Sequence, residues 1–475
     1  MKSEITFLIT FSILVWSSGY AQTPNFTPNG GEFIFNPDNV PCLTDTQKQI
    51  VLAEIKSGIQ QLNHQNKLSY SKNSVIPHPL FIWPVKKKDG HEYNDVWGIS
   101  NYVDQNAAYP NQILDYNCGN RTYDVSNGYN HAGIDIFNWP FQWKMMDNDE
   151  VEIIAAAPGQ ILGKVGSRPD RTCTLDNPNN WNFVYIQHAD GSVAVYGHMK
   201  QNSPTTKNVG DMVEEGEYLG IVGSSGNSSG PHLHFEVYSE IEWNGEGQDV
   251  LADPYAGACN NMNTDTWWQN QKPYNNPNIN AALTHSAAPI VYPPCPTQET
   301  TYESNDFETT DTVYFAVYLR DQQPGTSMTL KILRPNNTAL YTWNFPLNNY
   351  YNSSYWYWNY TGVTNIPGEW KWQVTYNGQT VTHAFNVSES LSVEDNLLKD
   401  TSIYPNPANN LINISTVKKI VKAEIANITG KTIKFINQPS EGIKTINTSN
   451  LSNGLYFLRL EGDNYETKTI KFIKQ

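Results

Sequence analysis

The sequence predicts a mainly β protein of antiparallel sheets divided among several modules, on three observations. From Phe81 to Val237 the chain is rich in β-branched and aromatic residues, broken at short intervals by Gly, Pro, Asn and Asp. Adjacent strand candidates, "FVYIQHA" and "SVAVYGHM", are joined through "ADG" (Ala189 to Gly191), whose Asp-Gly chemistry suits a hairpin. Helical spacing occurs convincingly only once. At 475 residues the chain has room for about three domains.

Taken in order, Lys2, the apolar run Ile5 to Trp16 and the small-residue segment Ser17 to Ala21 form a signal peptide over 1–21, with cleavage expected before Gln22. No later segment approaches the roughly 18 apolar residues of a membrane helix, so no span is expected in the mature chain. Residues 22–80 form a pro- or flanking region. In it Thr44 and Gln47 make a capping box, and Val51, Ile55, Ile59 and Leu62 follow at helical spacing, predicting a helix over about Thr44 to Leu62. The strand-rich domain occupies 81–273. Proline and asparagine in 274–299, including "VYPPCP", read as a linker. Alternation in "VYFAVYL", "MTLKIL" and "WKWQVTY" predicts an immunoglobulin- or fibronectin-like β-sandwich over 300–390. In 393–475 lysine rises, tryptophan and cysteine vanish, and strands such as "YFLRLEG" and "TKTIKFI" predict a small β module.

With 31 basic against 46 acidic residues the formal charge is −15, which repels phosphate backbones and excludes nucleic acid as a partner. Five cysteines in an exported chain favour disulfides over metal thiolates, and none forms a CxxC pair. The expected pairs are Cys118 with Cys173 and Cys259 with Cys295, leaving Cys42 unpaired or removed with a pro-segment.

Five residues stand out as candidate metal-site groups: His131 and Asp135 in "NHAGIDIF", His198 in "VYGHM", and His232 and His234 in "PHLHFEV". Side chains alternate along a strand, so His232, His234, Glu236 and Tyr238 share one face while Leu233, Phe235 and Val237 take the other. His131 and Asp135, four apart, share a side in either a helix or a strand. A catalytic zinc takes three protein ligands and leaves a position for water, so five candidates compete for three places. Parity does not rank them.

"HAGID", "VYGHM" and "VGSSGNSSGPHLHFEV" resemble the three signature blocks of the M23 family of zinc metallopeptidases, of the LytM and lysostaphin type. "VEIIAAAPGQILGKVG" and "NVGDMVEEGEYLG" also fit the strands and turns of its barrel-like domain, and the resemblance covers about Trp83 to Tyr238. It implies an antiparallel, barrel-like metallopeptidase domain with one catalytic Zn2+ held by His131, Asp135 and His234. His198 and His232 would stand beside the bound water as acid/base and oxyanion-stabilising groups. The implied activity is that of a zinc endopeptidase acting on peptidoglycan stem peptides or cross-bridges. Proteins of this fold that have lost their ligands regulate other wall hydrolases, which makes a non-catalytic wall binder the alternative; an extracellular protease acting on proteins is another.

At the other end, "SIYPNPANNLINIS", "ITGKTIKF" and "LSNGLYFLRLEGDNYETKTIKFIK" resemble a type A sorting domain of the type IX secretion system. This implies the type IX machinery as a partner and a secreted or cell-surface location beyond the outer membrane. An enzyme sent there meets foreign walls, shed fragments or extracellular proteins.

Other signals are bland. "GNSSG", Gly226 to Gly230, matches G-x-S-x-G, but Pro231 and a period-two strand follow instead of a helix. It also lacks the Lys of a phosphate-binding loop. "HEYND", His91 to Asp95, lacks the second His of a zincin. "YWYWNY", Tyr355 to Tyr360, reads as sandwich core and surface in alternation, with a sugar-binding platform as the functional alternative. His64, His78, His91, His188, His285 and His383 read as ordinary surface or core histidines.

Overall fold

The computed structural model describes residues 26–39, 41–70, 76–126, 128–173, 181–291, 295, 297–389, 398, 400–463 and 465–475. The expected signal peptide lies outside them. The chain is mainly β, as its composition predicts, and forms two compact units divided after Glu389.

The sheet that carries the candidate residues runs in the spatial order Trp97–Asn101, Ile134–Asn138, His232–Glu240, Val193–Gly197, Phe183–Gln187, Gly159–Val165 and Met212–Val213, with Val250–Ala252 also paired to His232–Glu240. Every pairing in it is antiparallel. The Asp-Gly hairpin joins Phe183–Gln187 to Val193–Gly197, with Gly191 at φ +94° supplying the left-handed turn position. Alternation divides the two faces. Leu233, Phe235 and Val237 enter one core with Ile134, Ile136, Tyr196 and Ile186, while Tyr238, Val193, Val195 and Tyr185 enter another on the opposite face.

The opposite face is covered by the helix Asp45–His64, capped by Thr44 and Gln47 in the reciprocal manner expected. Its Val51, Ile55, Ile59 and Leu62 are buried there, each contributing about 1.5–3 kcal/mol. Gly58 allows the approach: a Cβ at that position would collide with the Leu162 carbonyl oxygen. A second, six-residue helix, Gln142–Asp147, was not legible in the sequence because it is too short to show a period.

Two further sheets make a sandwich. One has the order Asn29–Phe33, Tyr351–Thr361, Thr312–Gln322, Asn278–His285. The other has the order Asp306–Glu308, Gln379–Ser388, Gly368–Tyr376, Thr326–Leu333, Ala339–Leu347. Two strands come from outside the segment expected to form it. Asn278–His285 belongs to the stretch read as a linker, where flanking Pro and Asn mask an apolar run, and Asn29–Phe33 belongs to the N-terminal region. Within "YWYWNY", Trp356, Trp358 and Tyr360 face the sandwich core, whereas Tyr355 and Tyr357 pack on the core of the site-bearing domain. Both faces are thereby used in packing. The junction also carries Arg320, 2.6 Å from Asp95 and 3.6 Å over the Trp97 ring, and Arg121, 2.7 Å from Asp321.

The disulfides differ from the expectation. Cys118 bonds Cys259 and Cys173 bonds Cys295, spanning 141 and 122 residues. Folding, not sequence proximity, sets the partners: the Cys259 backbone N–H donates to the Tyr116 carbonyl at 3.0 Å, laying those two loops side by side. Cys42 is unpaired and buried.

The second unit contains a three-stranded sheet (Ser402–Tyr404, Leu411–Ser415, Thr445–Asn447) and a four-stranded one (Thr432–Asn437, Ile420–Asn427, Gly454–Gly462, Thr467–Lys474). Ile412, Ile425, Ile446, Leu458, Leu460 and Phe472 fill its core. Among the described residues no helix is long and apolar enough to cross a membrane.

Candidate metal centre

All five candidate residues converge on the helix-covered face of the main sheet. Strand pairing sets Asp135 opposite His234, and His234 opposite Gly197, the residue before His198. His131 enters from the segment preceding Ile134–Asn138. Each of the five is at most 2% exposed.

The ring nitrogens are sorted by their outer partners. His131 Nδ1–H donates to the Tyr102 carbonyl at 2.8 Å, His198 Nδ1–H to Ser225 at 2.7 Å and His232 Nδ1–H to Gly230 at 2.8 Å. In each case the Nε2 is left to face inward. His234 is held the other way round, its Nε2 3.3 Å from Glu236 Oε2 and its Nδ1 turned to Asp135. Glu236 in turn accepts from the Tyr238 hydroxyl. Such outer partners fix the tautomer of a ligating histidine.

The inner atoms have the chemistry of a metal site. His234 Nδ1 stands 2.9 Å from Asp135 Oδ1, and His131 Nε2 stands 3.1 Å from Asp135 Oδ2 but outside hydrogen-bond geometry. Two pairs of lone-pair donors this close need a proton or a cation between them. The Nε2 atoms of His131 and His198 are buried without a hydrogen-bond partner. Ligand atoms of His131, Asp135 and His234 lie within 4.8 Å of one another, and two nitrogens plus a carboxylate match the donor preferences of zinc. The residues present fit the metal.

One member of the cluster was not singled out in the sequence. Cys42 Sγ is 3.5 Å from both Asp135 oxygens and 3.3 Å from His232 Nε2, and it belongs with His131, Asp135 and His234 and also with His198 and His232. No local signal marks it, since 93 residues separate it from Asp135. Glu236 had a signal, its position two residues from His234 on the same face, without a role attached to it. Aromatic rings complete the walls: Trp181 lies 4.7 Å from His198 and 5.1 Å from His234, and Tyr123 stacks on His131 at 4.6 Å.

Electrostatics separates the histidines. Burial opposes charge on His131, but the Asp135 carboxylate wins and lifts it to about 9. His234 is raised well above its ordinary value against burial, again by Asp135. Asp135 is held well below the carboxylate range, burial notwithstanding, by His131 and His234. His198 goes the other way: burial and the neighbouring His232 push it down, keeping the ring neutral.

Gly133 is required by this geometry. A Cβ there would lie 2.5 Å from His234 Nε2 and 2.9 Å from the Phe235 carbonyl oxygen. "GNSSG" is a turn leading into His232–Glu240, with Gly226 at φ +80°, and His91 to Asp95 contains no helix.

Parts of the chain are similar to known proteins. Residues 130–250 match the family model of peptidase family M23, and residues 402–475 match that of the secretion system C-terminal sorting domain. The DD-carboxypeptidase/endopeptidase Mpg of Neisseria meningitidis is 46% identical over 56 residues, 12% of this chain and 12% of that protein. The peptidoglycan DD-endopeptidase ShyC of Vibrio cholerae is 37% identical over 60 residues, 13% of each. The chain thus spans about an eighth of the length of these relatives. Among solved structures, the catalytic domain of the prophage-encoded M23 protein EnpA from Enterococcus faecalis matches at 26% identity and a TM-score of 0.21, covering 36% of this chain and 92% of that one. The C-terminal domain is of the class that directs export to the cell surface or secretion. This chain therefore carries a peptidase family M23 domain at 130–250 and a secretion system C-terminal sorting domain at 402–475.

Proposed function

We propose that the protein is an exported zinc-dependent endopeptidase whose substrates are peptidoglycan stem peptides or cross-bridges. The observation that carries this reading is the convergence of the inner atoms of His131, Asp135 and His234 within 4.8 Å, beside the inward Nε2 of His198 and of His232. A zinc ion held by the first three would supply a Lewis acid for the scissile carbonyl and a bound water with a pKa of about 7.

The chain's own groups do the rest. Asp135 brings a negative charge that offsets part of the metal's. Glu236 holds His234 Nε2–H, leaving Nδ1 free to ligate. His198, kept neutral by burial, has an unpartnered Nε2 able to take a proton from an attacking water. His232, 4.3 Å from His198 between ring centroids, is placed to donate to the developing oxyanion. The sorting domain favours a substrate outside the producing cell: foreign wall, shed fragments or extracellular protein.

The test is release of peptide fragments from purified cell walls by the wild-type protein and by a Cys42→Ala variant, which clears the sulfur from the centre, with and without chelator. Chelator-sensitive release is expected from the variant at least. Its absence from both overturns the enzyme reading in favour of a wall-binding or hydrolase-regulating protein.

A further inference from the structure

The sulfur of Cys42 lies at the inner face of the metal centre, and the rest of the N-terminal segment holds it there. We propose that Cys42 is a fourth ligand of the metal and that the protein in this form is a latent precursor, its open coordination position filled by its own chain. This rests on the metallopeptidase reading and adds a regulator to it.

Distances carry the first step. Tetrahedral zinc, with bonds of about 2.3 Å to sulfur and 2.0–2.1 Å to nitrogen or oxygen, sets a sulfur about 3.5 Å from its fellow ligands. Cys42 Sγ is 3.5 Å from each Asp135 oxygen. A buried thiol is ordinarily a small apolar filler. Here its neighbours are a carboxylate and imidazole nitrogens, and the Nε2 atoms of His131 and His198, buried and without hydrogen-bond partners, belong to the same cluster. The other four cysteines are consumed in disulfides, so this is the chain's one free thiol.

Anchorage carries the second step. Upstream, Asn29–Phe33 is an edge strand of the sandwich, paired from Asn29 opposite Tyr357 to Phe33 opposite Ser353. Phe33 stacks on Trp139 at 4.6 Å, and Phe35 lies 4.8 Å from Phe137 and 5.3 Å from the His232 ring. At Cys42 itself the backbone N–H donates to the Tyr123 hydroxyl at 3.0 Å. Downstream, the capping box at Thr44 starts a helix whose apolar side closes the same face of the sheet. The sandwich thus has a role: its edge receives the strand that aims the segment across the centre.

The consequence is chemical. Four protein ligands make a closed zinc site, three leave a place for water. With the sulfur seated, no coordination position is left for water beside residues that are at most 2% exposed. Hydrolysis requires Cys42 to withdraw and water to take its place, a ligand exchange without oxidation or reduction.

Full-length protein loaded with Co2+ tests this, comparing wild type with Cys42→Ser and Cys42→Ala. Wild type is expected to show a near-ultraviolet sulfur-to-cobalt charge-transfer band. Both variants should lose it, keep the visible cobalt bands and release wall peptides about tenfold faster or more. Cys42→Ser keeps the size of the side chain, and the visible bands report an intact centre in either variant. Visible cobalt bands without the charge-transfer band in wild type would overturn the ligand assignment and leave the peptidase reading standing. A charge-transfer band in wild type with equal turnover in all three proteins would overturn latency. Failure of any form to bind cobalt would sink the metal reading itself.

Discussion

Asp135 and His234 face each other across adjacent antiparallel strands, with Oδ1 and Nδ1 2.9 Å apart, while His232, two residues earlier on the same strand and opposite Phe137, has its Nε2 3.7 Å from that Asp135 oxygen and its ring against His198. On the proposed reading, the two histidines of this strand do different work. His234→Ala is expected to lose the metal. His232→Ala should retain near-stoichiometric metal while turnover falls about 10²-fold or more, the usual cost of removing one donor to a developing oxyanion. Metal analysis of both purified variants checks the division; equal metal content in the two would contradict it.

Glu236 should matter although it touches no substrate. Its carboxylate accepts from His234 Nε2–H and from the Tyr238 hydroxyl in a fully buried site. Glu236→Gln keeps the size but removes the charge that orients the ring, and metal affinity is expected to drop about 10–100-fold. A competition titration against a chromophoric chelator measures this, and an unchanged affinity would remove Glu236 from the centre's support.

Gly133 tests whether the backbone beside the centre has any slack. A methyl group there must displace the His234 ring or the Phe235 carbonyl, and neither has room, since both are buried between strands. Gly133→Ala should fold, with a lowered melting temperature, and bind metal more weakly than wild type. Wild-type metal affinity in a folded Gly133→Ala protein would show that the ring can yield.

What the sequence disclosed follows from the range over which each interaction acts. The alternation in "PHLHFEVY", the Thr44 capping box and the Asp-Gly hairpin are local, and each reappears in the structure at the expected residues. The disulfides, Cys42 and the strand Asn29–Phe33 are not local. Cys42 meets Asp135 only because a helix, well marked locally, and an edge strand without a local signal of its own pin the segment between them from opposite sides. Glu236 stood between these cases: its face could be read from parity, but its purpose depended on which nitrogen of His234 turned inward.

His285 supplies a pH dependence remote from the metal. The ring is fully buried, donates Nδ1–H to the Thr301 carbonyl at 2.9 Å and accepts from the Tyr318 hydroxyl at 3.1 Å. Burial pushes its pKa from 6.5 down to about 4; Glu303 opposes that shift, while His383 and Lys144 add to it. Above pH 6.5 the residue is neutral in both folded and unfolded chains and costs nothing. As pH falls below 6.5 the unfolded chain binds a proton that the folded one refuses until about 4, so stability is lost across that window, reaching about 3 kcal/mol at its acid end. His285→Gln keeps a donor and an acceptor but does not titrate. Urea midpoints measured from pH 7 to 4 should therefore fall less steeply in the variant than in wild type, and parallel curves would show that His285 is not the group responsible.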